Sequence, residues 1–208
     1  MGIFGFFRRK RYGVGDTVRF GRYFFAGEKD LRPIEWIVLA DEDGELILLS
    51  KYCLDVVHYF ERFGEVAWED SRLRHWLNGA FYDRAFTEKE KQRIVETVIV
   101  TDETRDPASH RNKLFILSRS QIEELLPDRE KRLGRPTPYA RQRGAGAGID
   151  TRDEAVWWWV MPVSGDMFPG GRCPAIVHPN GQVLYHSRLV ASPGSMHATV
   201  RPAIKIRK

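Results

Sequence analysis

Hydrophobic and polar positions begin to alternate at residues 16–23, where Val18 and Phe20 are set against Thr17 and Arg19. A period of two predicts a half-exposed strand. Residues 34–40 and 45–50 are dense in Ile, Val and Leu, and Asp41-Glu42-Asp43-Gly44 between them supplies turn chemistry. They read as a β-hairpin. The spacing then becomes helical. Across residues 68–79, Leu73, Trp76 and Leu77 share one face, Asp70 or Ser71 can cap the start, and Gly79 can end the helix. Thr87 with Glu90, and Ser120 with Glu123, have capping-box spacing and open two further short helices, the second stopping at Pro127. Residues 95–101 and 113–117 read as strands.

Strand patterning returns at residues 155–161, 174–178, 182–186 and 197–206, with Pro179-Asn180-Gly181 as a hairpin turn. Strands first, helices in the middle and strands last predict an α+β fold, mainly antiparallel sheets with three short helices. Residues 1–13 form a basic and apolar tail, and residues 14–208 a single domain.

Composition narrows this picture. A chain of 208 residues suits one domain, and 42% hydrophobic with 29% charged residues is ordinary globular usage. The aromatics stand out, above all Trp157-Trp158-Trp159. On a strand these alternate, so two indoles face one side and Trp158 the other. Such a strand is either buried on both faces or offers an aromatic platform for a sugar ring, peptide or base. Cys53 and Cys173 have no CxxC spacing and no zinc pattern, which leaves two buried thiols or one long-range disulfide. No stretch approaches the ~20 apolar residues of a membrane span. In the tail the apolar residues precede Arg8, Arg9, Lys10 and Arg11, the reverse of the secretory order, so a cytoplasmic location is expected. The tail could also make weak contact with a membrane surface.

Candidate chemistry is sparse. The segment 129–152 gathers Arg129, Lys131, Arg132, Arg135, Arg141, Arg143 and Arg152. With a net charge of +5 and a pI near 9.3 it reads as a solvated lid or as a nucleic-acid surface. Gly144-Ala145-Gly146-Ala147-Gly148 is no dinucleotide fingerprint, because Ile149 stands where the next glycine is required; a hinge is expected there. His178 and His186 flank the last hairpin without a third ligand or an orienting partner. There is no triad, no paired carboxylates and no P-loop, so no catalytic residue, metal or cofactor is expected.

One resemblance lies in the order of segments. Glu35-Trp36-Ile37-Val38-Leu39, Leu49-Ser50-Lys51-Tyr52 with Leu54-Asp55, and Trp68-Glu69-Asp70-Ser71 with Leu73-Arg74 and Trp76-Leu77-Asn78 are followed by Phe86-Thr87-Glu88 and Leu117-Ser118. Pro136-Thr137-Pro138-Tyr139-Ala140, Trp157-Trp158 and Val200-Arg201-Pro202-Ala203 complete the set. Over about residues 14–206 the chain resembles the bacterial domain-of-unknown-function family 6273. The family's C-terminal half resembles the C-type-lectin-like fold of formylglycine-generating-enzyme-type domains. The resemblance implies a lectin-like core in which a Trp-rich strand, a hairpin and a terminal strand with an arginine shape a ligand face. After the tryptophans that family commonly shows Leu-Arg-Ser-Pro-Gly, whereas this chain has Val160-Met161-Pro162-Val163-Ser164-Gly165. The oxidase cysteine pair of the generating enzymes has no counterpart at matched positions.

The resulting expectation is a non-enzymatic module that binds a small ligand, glycan or protein through a lectin-like face. Its binding residues would be Trp158, Ser164 in the 162–172 loop, Arg143 at the head of the 143–155 loop, and Arg201. For Arg201 a structural salt bridge to Glu69 or Asp70 is the competing role. The alternatives are a nucleic-acid-associated accessory protein using the basic segment, and an enzyme of unrecognised type.

Overall fold

The computed structural model describes residues 12–60, 68–98, 111–146, 154–165, 168–185 and 198–208. In chain order its strands are β1 (Thr17–Phe24), β2 (Leu31–Glu42), β3 (Glu45–Ser50), β4 (Asp55–Val56), β5 (Thr97–Val98), β6 (Arg111–Asn112) and β7 (Leu114–Phe115). They continue with β8 (Trp158–Gly165), β9 (Phe168–Val177), β10 (Val183–Tyr185), β11 (Thr199–Val200) and β12 (Ala203–Arg207). One five-stranded sheet has the order β1-β2-β3-β12-β7 and is antiparallel throughout. The other has the order β10-β9-β8-β11-β4, in which only β8 and β11 run parallel. The α+β class with mainly antiparallel pairing is therefore the fold of this chain.

The two sheets are joined where the chain crosses between them twice. The connection from β3 to β4 lies beside the connection from β11 to β12. Ser50 N donates to Pro202 O and Leu54 N to Val200 O, both at 2.9 Å. Proline cannot donate to a ladder, so Arg201-Pro202 breaks what the alternation predicted as one strand over 197–206. Gly134 lies against this seam. A Cβ there would stand 2.5 Å from Trp158 Cδ1 and 2.8 Å from Cys53 Sγ, so only glycine fits.

The helical section departs from the pattern at its end. A 3-10 turn (Trp68–Asp70) leads to α1 (Arg72–Trp76), capped by Ser71, whose Oγ accepts from Arg74 N at 3.1 Å. Gly79 does not end the helix. It sits inside a π-helical stretch (Leu77–Phe81) that continues into α2 (Tyr82–Ala85). The reason is Asn78. Its Oδ1 accepts from Lys113 N (2.8 Å) and Leu114 N (3.0 Å), and its Nδ2 donates to Leu114 O (2.9 Å) and Arg74 O (3.1 Å). One amide thus pairs the edge of β7, which would otherwise be open.

Thr87 and Glu90 form the expected capping box of α3 (Glu88–Lys91). Glu90 also accepts from Gly21 N at 2.9 Å, at a bulge in β1 where Gly21 has φ 69° and a Cβ would stand 2.6 Å from the Phe86 ring. The second box is Ser118 with Gln121, two residues before the Ser120–Glu123 pair, and it opens α4 (Arg119–Leu125). The basic segment is partly structured, with α5 (Arg129–Arg132) capped by Asp128 and α6 (Pro138–Gln142) capped by Thr137. The final hairpin forms as read, with Val183 opposite Val177 and Gly181 at φ 79°. A single cluster of buried side chains runs through both sheets and the helices.

Candidate functional site

The tryptophan strand resolves first. Trp158 is fully buried, and its Nε1 donates to Arg132 O at 2.9 Å. Trp159 is buried too and donates to Val57 O at 2.8 Å. Trp157 is half-buried, stands just before β8 and lies against the His178 ring at 5.6 Å between centroids. Of the two readings open to this strand, core packing on both faces is the one observed. No face of Trp158 is open for stacking.

Arg201 is 2% exposed. Its Nε donates to Ser50 O at 3.0 Å, and its Nη1 reaches Lys131 O (3.4 Å) and Arg132 O (3.3 Å). The guanidinium lies 5.3 Å from the centre of the Trp158 ring. The expected carboxylate partner, Glu69 or Asp70, is replaced by these carbonyls; among the described residues no ion pair to Arg201 forms. Burial pulls its pKa below the ordinary value. Arg201 and Trp158 thus form one unit at the seam. Beside them Cys53 is a free buried thiol, pushed by burial up to about 11, which leaves it protonated and unreactive at neutral pH.

Arg143 follows α6 and approaches Asp55, with Nε 3.5 Å from Oδ1. Asp55 is 4% exposed, the one fully buried carboxylate among the described residues. It accepts from Tyr23 Oη at 2.7 Å and from Val56 N at 2.7 Å. Burial, and next the Asp55 charge, drive the Tyr23 pKa well above the ordinary tyrosine range. In the basic segment Arg132 donates to Leu126 O and Arg141 to Glu154 O, so with Arg143 three of its cations serve the chain's own acceptors. Ser164 belongs to β8, but its side chain, the 147–153 part of the glycine segment, His186 and tail residues 1–11 lie outside the described residues.

A cavity of about 320 Å³ is lined in part by Tyr23. Its floor is Phe24, Ile34 and Leu54, and its walls include Phe25, Pro33 and Tyr52. Phe25 and Tyr52 meet edge to face at 6.1 Å. Arg32 stacks over Phe25 with its guanidinium carbon 4.2 Å from the ring centre. Arg19, Glu35 and Thr137 complete the lining. The rim charges are ordered by pairing. Glu35 accepts from Arg19 (3.3 Å) and Lys51 (2.9 Å), and the Lys51 bond is the main cause holding its carboxyl below the usual range. Tyr139 N donates to Phe25 O (2.7 Å) and Gln142 Nε2 to Ala26 O (2.9 Å), which ties the β1–β2 loop to α6. The cavity is therefore built on elements anchored at both ends.

None of the cavity residues was singled out as a site by the residue pattern. Asp55 had a readable signal: it is a lone carboxylate inside the apolar run Cys53-Leu54-Asp55-Val56-Val57. Phe24-Phe25, Arg32 and Tyr52 had none, because only the pairing of β1 with β2 and the seam beside β4 bring them together.

No curated protein and no solved structure matches the chain. Residues 43–208 match the family described as a domain of unknown function, DUF6273. Tyr52, Leu54, Asp55 and Thr137 fall within that match, whereas the β1–β2 wall with Phe25 and Arg32 precedes it, a later start than the resemblance from residue 14. The chain belongs to the domain-of-unknown-function family DUF6273.

Proposed function

We propose that this chain is a ligand-binding module, without catalytic chemistry of its own, whose site is the cavity between β1, β2 and the β3–β4 connection. The observation that carries this reading is the cavity itself: about 320 Å³, apolar at its floor, walled by Phe25 and Tyr52 and rimmed by a few placed charges. That is the usual make-up of a small-molecule site, at the small end of the size range. A lectin-like scaffold remains part of the proposal, with its binding face moved from the Trp158 strand to this cavity. Trp158 and Arg201 then serve the ligand only by fixing the seam that positions Tyr52 and Leu54.

The test is a ligand-observed NMR fragment screen on the full chain. Saturable binders are expected, weakened at least about tenfold by Tyr52→Ala, the loss of one aromatic wall contact. Tyr52 is only half-buried, so the fold should survive. Binders that ignore Tyr52→Ala would remove the site assignment.

A further inference from the structure

We infer that the cavity takes an amphipathic anion: a carboxylate carried on an aryl or branched-alkyl body that fits the apolar floor. This rests on the binding role proposed above and adds the chemical class. The body is set by Phe24, Ile34 and Leu54, which are all buried and offer no polar side-chain atom. A ligand filling this floor must be apolar there, since burying an unpaired polar group is costly.

The charge of the other end follows from counting the donors still open at the rim. Arg32 is held by Asp30 through Nε (3.0 Å) and Nη2 (2.9 Å) and is stacked on Phe25, so its plane is fixed before any ligand arrives. Its Nη1 has no acceptor among the described residues. Arg19 gives only Nη2 to Glu35, which leaves Nε and Nη1 in the same position. Two guanidinium groups therefore border one cavity, each with donors unspent.

The opposite choice fails at Glu35. It is the one carboxylate lining the cavity, and its two oxygens are already taken, Oε1 by Arg19 and Oε2 by Lys51. A cationic ligand would have to approach Glu35 beside Arg19 and Lys51, whose charges already neutralise it and repel a further cation. A neutral ligand offers these guanidinium groups only an uncharged acceptor, a weaker partner than a carboxylate. A carboxylate supplies two charged acceptor oxygens for these open donors. Around the rim Arg19, Arg32 and Lys51 face Glu35 and Asp30, so the local balance is positive as well.

The same chemistry is presented by a free aryl acid and by the carboxy end of a peptide terminating in phenylalanine. Calorimetric titration of the full chain separates these and tests the class. Four probes are used: phenylpropionate, its neutral amide, and a short Phe-terminated peptide with free or amidated carboxy terminus. At low salt the acid is expected to bind about tenfold or more tightly than the amide, the worth of one charge-assisted hydrogen bond. The ratio should shrink at high salt. Arg32→Gln, or independently Arg19→Gln, should bring the acid towards the level of the amide, read as a fall in the acid-to-amide affinity ratio. A further gain for the free over the amidated peptide identifies a peptide source; equal peptides with a favoured acid identify a small molecule. Equal binding of acid and amide, both sensitive to Tyr52→Ala, overturns the anion assignment and leaves the binding site standing. Absence of binding by all four probes and by every fragment overturns both.

Discussion

The seam that joins the sheets makes Arg201→Met the most informative perturbation, because opposing effects of similar size meet there. The wild-type guanidinium has one good hydrogen bond, Nε to Ser50 O at 3.0 Å, and two long ones from a single Nη1. Arg132 O keeps a partner in the variant, since Trp158 Nε1 also donates to it. Ser50 O and Lys131 O lose theirs from Arg201. A hydrogen bond from a charged donor contributes about 1.5–3 kcal/mol, and a buried carbonyl left unpaired costs about 1–3 kcal/mol. Against this, methionine escapes the several kcal/mol spent on desolvating a buried ion. The stack on Trp158, at 5.3 Å, adds about 1–2 kcal/mol to the wild-type side. The balance is a loss of about 2–4 kcal/mol on Arg201→Met, read from urea unfolding as a lower midpoint at unchanged slope. In a thermal scan this is roughly 5–15 °C for a chain of this size. Arg201→Lys should be no better, because one ammonium retains the burial cost and cannot span Ser50 O and Lys131 O from a flat fork. If Arg201→Met is as stable as wild type, desolvation outweighs the carbonyl pairing and the reasoning is wrong.

Three further outcomes follow from single residues. Cys53 titrates at about 11 in the fold against an ordinary 9.0, so the stability it contributes is complete below about pH 9 and lost as pH rises through about 11. Cys53→Ala should therefore flatten the alkaline limb of a stability–pH curve by about 2–3 kcal/mol across that window, measured by denaturant unfolding. Asn78→Ala should cost about 2–3 kcal/mol. Hydrogen exchange should show the loss of protection concentrated at the Lys113 and Leu114 amides, its two backbone donors. Gly134→Ala drives a methyl into Trp158 and Cys53 and should cost about 1–3 kcal/mol in urea unfolding; a neutral result would show that the seam has slack.

Local rules carried the fold as far as local rules reach. The β2–β3 hairpin, the Thr87 box and the Asn180-Gly181 turn were legible because each rests on neighbours in sequence. Helix continuation through Gly79 was not, since it depends on Asn78 bonding a strand that comes 35 residues later. The break at Arg201-Pro202 was visible as a proline but reads as a sheet crossing only once β3 and β4 are known to lie in different sheets. The same limit applies to the site. Trp158 was conspicuous by residue type, Arg143 by its basic segment and Arg201 only by the family resemblance, and they proved to pack the seam or face a buried carboxylate. The cavity is built from residues of common type, Phe24, Phe25, Arg32 and Tyr52, that acquire meaning only from strand pairing.

The most direct test compares Tyr52→Ala with Trp158→Phe, recording for each the melting temperature and the Kd of the strongest binder from the fragment screen. With binding in the cavity and structure at the seam, Trp158→Phe lowers Tm, because its Nε1 bond to Arg132 O and its stack on Arg201 are lost or weakened, and moves Kd far less than Tyr52→Ala does. Tyr52→Ala does the reverse, with Tm close to wild type and Kd raised at least about tenfold. A Trp158→Phe variant that melts normally but loses the ligand, beside a Tyr52→Ala variant that binds normally, would contradict this assignment of roles.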